Sequence, residues 1–125
     1  MRFHAAQHLR RPTEIRAVRE QGRRVDCRAF TLWWKQRADA TATDPVNAAA
    51  RVCVIASGKA VGGAVRRNRA KRRLREVFRL HQRHIPAHCD LLLIAREAAA
   101  NWPLPELEKR FVEGCRQINP VTAAS

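Results

Sequence analysis

A chain of 125 residues has room for one core. A hydrophobic content of 46% excludes global disorder, and a formal net charge of +14 points to nucleic acid or an anionic membrane surface as partner. No run of about 18 apolar residues exists to cross a membrane, and the start MRFHAAQHLRRPTE has no apolar signal region, so a cytoplasmic protein is expected.

In chain order, residues 1–11 are basic and irregular and, like 119–125, are expected to be flexible. Pro12 suits a helix entry and Thr13 a cap, for a short helix over 14–21 with Ile15 and Val18 on one side. Gly22 stops it, and so short a helix must pack on something. Residues 25–35 read as one strand, rich in aromatic and β-branched side chains. Period two puts Phe30, Leu32 and Trp34 on one face and Ala29, Thr31 and Trp33 on the other. Both faces are partly apolar. Either both are buried, or one holds the core and the other lines a groove.

Residues 37–50 have no period and read as a hairpin loop or an excursion. Two apolar runs, 51–57 and 89–96, read as buried strands. Between them lies a long helix that ends near residue 84 or 85, before Pro86. Asn101-Trp102-Pro103-Leu104-Pro105 breaks the chain again, and Leu107, Phe111, Cys115 and Ile118 then recur on one face of a last helix. The string of elements gives a small α/β domain, one sheet covered by helices, over 1–125.

Cys27, Cys53, Cys89 and Cys115 are far apart and form no C-x-x-C pair, which favours small buried thiols in a reducing compartment. His81, His84 and His88 lie close together, but no acidic or thiol ligand is spaced to complete a metal site, so none is expected.

The chemistry concentrates in 57–81, SGKAVGGAVRRNRAKRRLREVFRLH. Between Arg66 and Arg79 eight residues are basic, seven of them arginine, and Glu76 is the one acid. At 100° per residue, Ala70, Leu74, Val77, Phe78 and His81 share a core side. Asn68, Arg72, Arg75 and Arg79 form the opposite row, flanked by Arg69 and Lys71. Solvated faces usually mix charge signs, and like charges at helical spacing repel. A row of this kind suits an external polyanion, and the guanidinium fork suits phosphate and base stacking. Gly58, Gly62 and Gly63 suggest a loop whose backbone N–H groups approach phosphate at a helix start, with Lys59 adding a charge. It is not a Walker A loop. No nucleophile–base set or carboxylate cluster is visible, so the chain reads as a binder.

The run Ser57-Gly58-Lys59-Ala60-Val61-Gly62-Gly63-Ala64-Val65-Arg66-Arg67-Asn68-Arg69-Ala70-Lys71-Arg72 resembles the signature of the bacterial ribonuclease P protein family, Ser-Lys-Lys-x-Val-Gly-x-Ala-Val-x-Arg-Asn-Arg-x-Lys-Arg. Val18 and Gly22, Arg28-x-Phe30-x-Leu32 and Ile94-Ala95-Arg96 extend the similarity over most of the chain. The resemblance implies an α+β, two-layer α/β sandwich of the ribosomal-protein-like kind, with one mixed sheet of about four strands, three helices and a left-handed β-α-β crossover. It implies a subunit that binds the catalytic RNA of ribonuclease P and the 5′ leader of precursor tRNA. That RNA, with Mg²⁺, hydrolyses the phosphodiester that frees the leader, and no further protein partner or membrane is required.

Carried over by position, the RNA-binding residues are Lys59, Arg66, Arg67, Asn68, Arg69, Lys71, Arg72, Arg75 and Arg79. The leader groove takes Ile15, Val18, Arg19 and Trp33. Trp33 keeps the family's aromatic character, Ile15 and Arg19 depart from it, and Gly58 replaces the first lysine of the usual pair. Two other readings share the charge: a general or ribosome-associated RNA-binding protein, and a free-standing nuclease, which the missing acid–base set disfavours.

Overall fold

Strands Arg23–Asp26 (β1), Phe30–Gln36 (β2), Arg51–Ile55 (β3) and Cys89–Ala95 (β4) form one mixed sheet in the order β1-β2-β4-β3. The computed structural model describes residues 9, 11–36, 50–85 and 88–118. The expectations for 1–8, 37–49 and 119–125 fall outside these. Helices are Pro12–Gln21 (α1), Gly58–Val61 (α2), Ala64–Leu80 (α3), Ala98–Asn101 (α4) and Leu104–Ile118 (α5), with a 3₁₀ turn at Gln82–His84. Three of them are longer than one turn, and the fold is α+β as expected.

The expected strand over 25–35 is in fact two strands. The backbone reverses at Cys27–Ala29, and β1 pairs antiparallel with β2 from Arg23↔Trp34 to Asp26↔Thr31. Arg28 takes the left-handed conformation at φ 66°. No glycine, asparagine or Asn-Gly pair marks this turn in the sequence, so its usual signal is missing. A local bond from the Asp26 side chain and two tertiary bonds from Arg96 hold it instead. Asp26 Oδ1 accepts from the Arg28 amide at 2.8 Å and from Arg96 Nη1 at 3.0 Å, and Arg96 Nη1 also donates to the Arg28 carbonyl at 2.9 Å.

β2 pairs antiparallel with β4, and β4 runs parallel to β3, to which it connects through α2 and α3. Register assigns the faces. Val25, Leu32, Leu93 and Val54 align across the sheet, as do Trp34, Leu91 and Val52. This face meets Ala70, Leu74, Val77 and Phe78 of α3 and Leu107, Phe111, Cys115 and Ile118 of α5, all buried. The core stripes expected for both helices are therefore correct, with His81 at the rim of the first. α3 ends at Leu80, one turn earlier than expected.

The opposite face aligns Trp33, Leu92 and Cys53, and beside them Thr31, Ile94 and Ile55. Here α1 and Leu9 form a smaller cluster in which Val18 and Leu92 are fully enclosed while Ile15, Trp33, Cys53 and Ile55 stay half-open. Of the two alternatives for β2, the groove is the one realised. α1 begins at Pro12 with Arg11 as N-cap, so Thr13 lies inside the helix and caps nothing. Gly22 is required for contact rather than for an unusual φ. A Cβ there would lie 2.3 Å from both the Trp34 and the Val18 carbonyl oxygens.

Cys27, Cys89 and Cys115 are buried on the core side, and burial pushes the Cys27 and Cys115 thiols up to about 12. Cys53 is half-exposed on the groove side. Iodoacetamide at pH 8 should therefore alkylate Cys53 first, and the other three only on unfolding, as peptide mass mapping will show. Gly22→Ala should lower stability by about 1–3 kcal/mol, because backbone carbonyls must move to admit the methyl. A lower denaturant midpoint at unchanged slope is the expected reading.

Candidate nucleic-acid interface

The segment leading into α3 is a helical turn and not an open loop. Ser57 caps α2, its Oγ accepting from the Ala60 amide at 3.1 Å. The Val61 and Gly62 amides donate to the Ser57 and Gly58 carbonyls, both at 3.0 Å. Three N–H groups expected to face phosphate are thus used internally. Val61 is buried and anchors the turn. Gly62, at φ 119°, makes the kink between α2 and α3 and is the one glycine here with positive φ. Gly58 and Gly63 face open space. Lys59 is exposed on α2.

Along α3 the guanidinium groups divide by partner. Asn68, Arg69, Arg72 and Arg75 are exposed, and Arg67 and Lys71 are half-buried along the flank. Arg66 is exposed but pairs with Glu97 of the segment before α4 at 2.9 Å. Arg79 ends the outward row and is tied within the helix to Glu76, its Nε 3.1 Å from Oε2. That pair holds the Glu76 carboxyl below the usual range. Arg73 turns inward and donates to the Trp102 carbonyl, which joins α3 to the link between α4 and α5. Desolvation and the neighbouring Arg69 lower its pKa. The exposed part of the expected row is thus Asn68–Arg72–Arg75 with Arg69 beside it. Such a surface can make several bidentate phosphate contacts at once.

A second surface lies between α1 and the sheet. Pro12, Ile15, Arg16, Arg19, Glu20 and Ile55 line an open groove of about 500 Å³. Arg19 sets its guanidinium carbon 5.6 Å from the Trp33 ring centroid, within cation–π range. Ile15 and Arg19 line the groove, Trp33 lies against Arg19 without being part of that lining, and Val18 is fully buried in the cluster behind it. Sequence reading missed Pro12, Arg16, Glu20 and Ile55 in the lining, and Arg24 beside Trp33. Arg24 is the direct cross-strand neighbour of Trp33. Reading β1 and β2 as one strand hid that proximity. The position of Ile55 in β3, alternating with the core residue Val54, was the available signal for the groove wall.

The lining of both surfaces does not fit a resident Mg²⁺. Its donors are mainly guanidinium, ammonium and amide groups, and among the described residues no group of three or more His, Cys, Asp or Glu is placed to hold a metal ion. His81 instead faces Glu108 of α5 at 3.3 Å and stacks on His84 with ring centroids 5.9 Å apart, while His88 is buried.

One small α+β sheet thus carries a basic helix and an open groove. The ribonuclease P family model matches residues 3–119, and the chain belongs to that family. The ribonuclease P protein component of Symbiobacterium thermophilum is 37% identical, over 86% of this chain and 87% of that protein. That of Desulfatibacillum aliphaticivorans is 33% identical over 95% and 80%. The RNase P protein of Staphylococcus aureus superposes with a TM-score of 0.70 at 25% identity, covering 90% of this chain and 94% of that one. The Thermotoga maritima protein shares the fold at TM-score 0.73 and 20% identity, over 90% and 97%.

The division of arginines is testable on the protein alone. Arg73→Ala should cost about 1–2 kcal/mol, because it strips the Trp102 carbonyl of a charged donor in a partly buried place. Arg72→Ala should stay within roughly 0.5 kcal/mol of wild type. Urea denaturation of the two variants distinguishes them.

Proposed function

We propose that this chain is the protein subunit of a ribonuclease P holoenzyme. It binds the catalytic RNA through α2 and α3 and the 5′ leader of precursor tRNA through the groove under α1. The observation that carries the reading is the exposed Asn68–Arg72–Arg75 row, with Arg69 beside it and Lys59 exposed on the preceding helical turn, in a chain of this family. Burial of Ala70, Leu74, Val77 and Phe78 points that row away from the core.

In this reading the row meets RNA phosphates, and Arg67 and Lys71 contact the same strand from the flank. Arg66 and Arg79 join by exchanging a carboxylate partner for a phosphate, at little cost because both pairs are open to solvent. Trp33 offers its face to a leader base, and Arg19 moves from the indole to a flanking phosphate. Stacking of this kind is worth about 1–3 kcal/mol per base. Mg²⁺ bound by the RNA, rather than by this chain's residues, would supply charge neutralisation and water activation there. The chain contributes charge, orientation of the substrate and leader affinity. In this reading it acts in tRNA 5′ maturation, as an accessory subunit of an endoribonuclease of the cytoplasm.

Reconstitution with a bacterial ribonuclease P RNA at low Mg²⁺ tests the reading. Cleavage of precursor tRNA should exceed that by RNA alone, and no gain would sink it. Replacing Arg72 and Arg75 together by Ala should weaken RNA binding. It should also reduce the slope of log K against log salt by roughly 1.5, since each lost phosphate contact releases fewer counterions. An unchanged slope would remove the row from the RNA interface.

A further inference from the structure

α1 is held to the sheet by little apolar surface. Val18 is its one fully buried side chain, and Ile15 is half-open. Its C-terminal end is fixed because Gly22 leads directly into β1 under the Trp34 carbonyl. Its N-terminal end is tied to the sheet only through Leu9, two residues before the helix cap, and through side chains of its first turn, and it forms one wall of the groove. Three charged side chains from three elements meet there. Arg51 of β3 grips Asp90 of β4 with two parallel bonds, Nε to Oδ1 and Nη2 to Oδ2, both 2.8 Å. The same Nη2 lies 2.8 Å from Glu14 Oε2 in the first turn of α1. Asp90 is 6% exposed, so the fork is pinned to the sheet before it reaches the helix. The Leu9 amide donates to the Val52 carbonyl at 2.9 Å and ties the chain entering α1 to the same strand.

We infer that the Glu14–Arg51–Asp90 triad is a positioning device that sets the gap between α1 and β3, and through it the affinity of the groove for a single-stranded leader. The inference rests on the groove reading above. Glu14 is not itself among the groove-lining residues, so it acts through the helix it holds. Pro12, Ile15, Arg16 and Arg19 ride on that helix, and Ile55 stands across from them on β3. Releasing the N-terminal end lets the wall move while the buried Val18 keeps the helix on the sheet.

Glu14 is the arm to cut, because removing Arg51 strands a buried carboxylate and endangers the fold. Glu14→Ala and Glu14→Gln lose the same negative charge, but the glutamine keeps an oxygen for Arg51. In reconstituted holoenzyme, Glu14→Ala should raise KM three- to ten-fold for precursor tRNA with a long leader, with kcat and affinity for the catalytic RNA unchanged. Glu14→Gln should recover part of that loss. With the leader cut to one nucleotide, both variants should match wild type. The inference is overturned if the two variants behave alike, or if Glu14→Ala raises KM equally for both substrates. Trp33→Ala, measured alongside, keeps the two readings apart. If its KM is indifferent to leader length, the groove reading itself fails. If Trp33→Ala depends on the leader and Glu14→Ala does not, only the triad inference falls.

Discussion

The seating of α3 on the sheet has to outweigh the repulsion among its own side chains. Seven pairs of basic residues stand at i, i+3 or i, i+4 between Arg66 and Arg79. At a few tenths of a kcal/mol each, they cost roughly 2 kcal/mol at low salt. Burial of Leu74, Val77 and Phe78 contributes roughly 5 kcal/mol or more in return. The core stripe wins, and the helix survives with its charge unneutralised on the outside. Local devices trim the cost. Arg73 is drawn inward by the Trp102 carbonyl, Arg66 by Glu97 and Arg79 by Glu76. What remains uncompensated is the middle of the row, where a polyanion has most to gain.

The two faces of the sheet are built to different standards. The face under α3 and α5 is closed, with Phe30, Leu32, Leu91 and Leu93 fully buried. The face under α1 is closed at Val18 and Leu92 and open at Ile15, Trp33 and Ile55. A ten-residue helix cannot cover four strands, and the uncovered apolar surface becomes the groove. An apolar helix contact this small needs polar help, and the Arg51 fork supplies it where two strands and the helix meet. Its energetic weight is moderate because Arg51 and Glu14 keep partial solvent access, so its effect is on geometry more than on stability.

Sequence by itself determined the amphipathic division of α3. Periodicity at 3.6 residues is local and needs no knowledge of neighbours, which is why Ala70, Leu74, Val77 and Phe78 were legible as core and Asn68, Arg72 and Arg75 as surface. The α5 stripe and the two apolar strands were legible for the same reason, and the ribonuclease P family was legible from the unbroken run 57–72. Tertiary structure alone decided the rest. The β1–β2 turn depends on Arg96, distant in sequence, and carries no glycine or asparagine, only Asp26. Its absence from the sequence reading hid Arg24 beside Trp33. Which face of β2 is open depends on how far α1 reaches, and period two is symmetric between faces. Which arginines are spent on the protein depends on Glu97 and Trp102, contributed by another part of the chain. Pairing across the fold is a non-local property of charge, and composition records only that the charges are present.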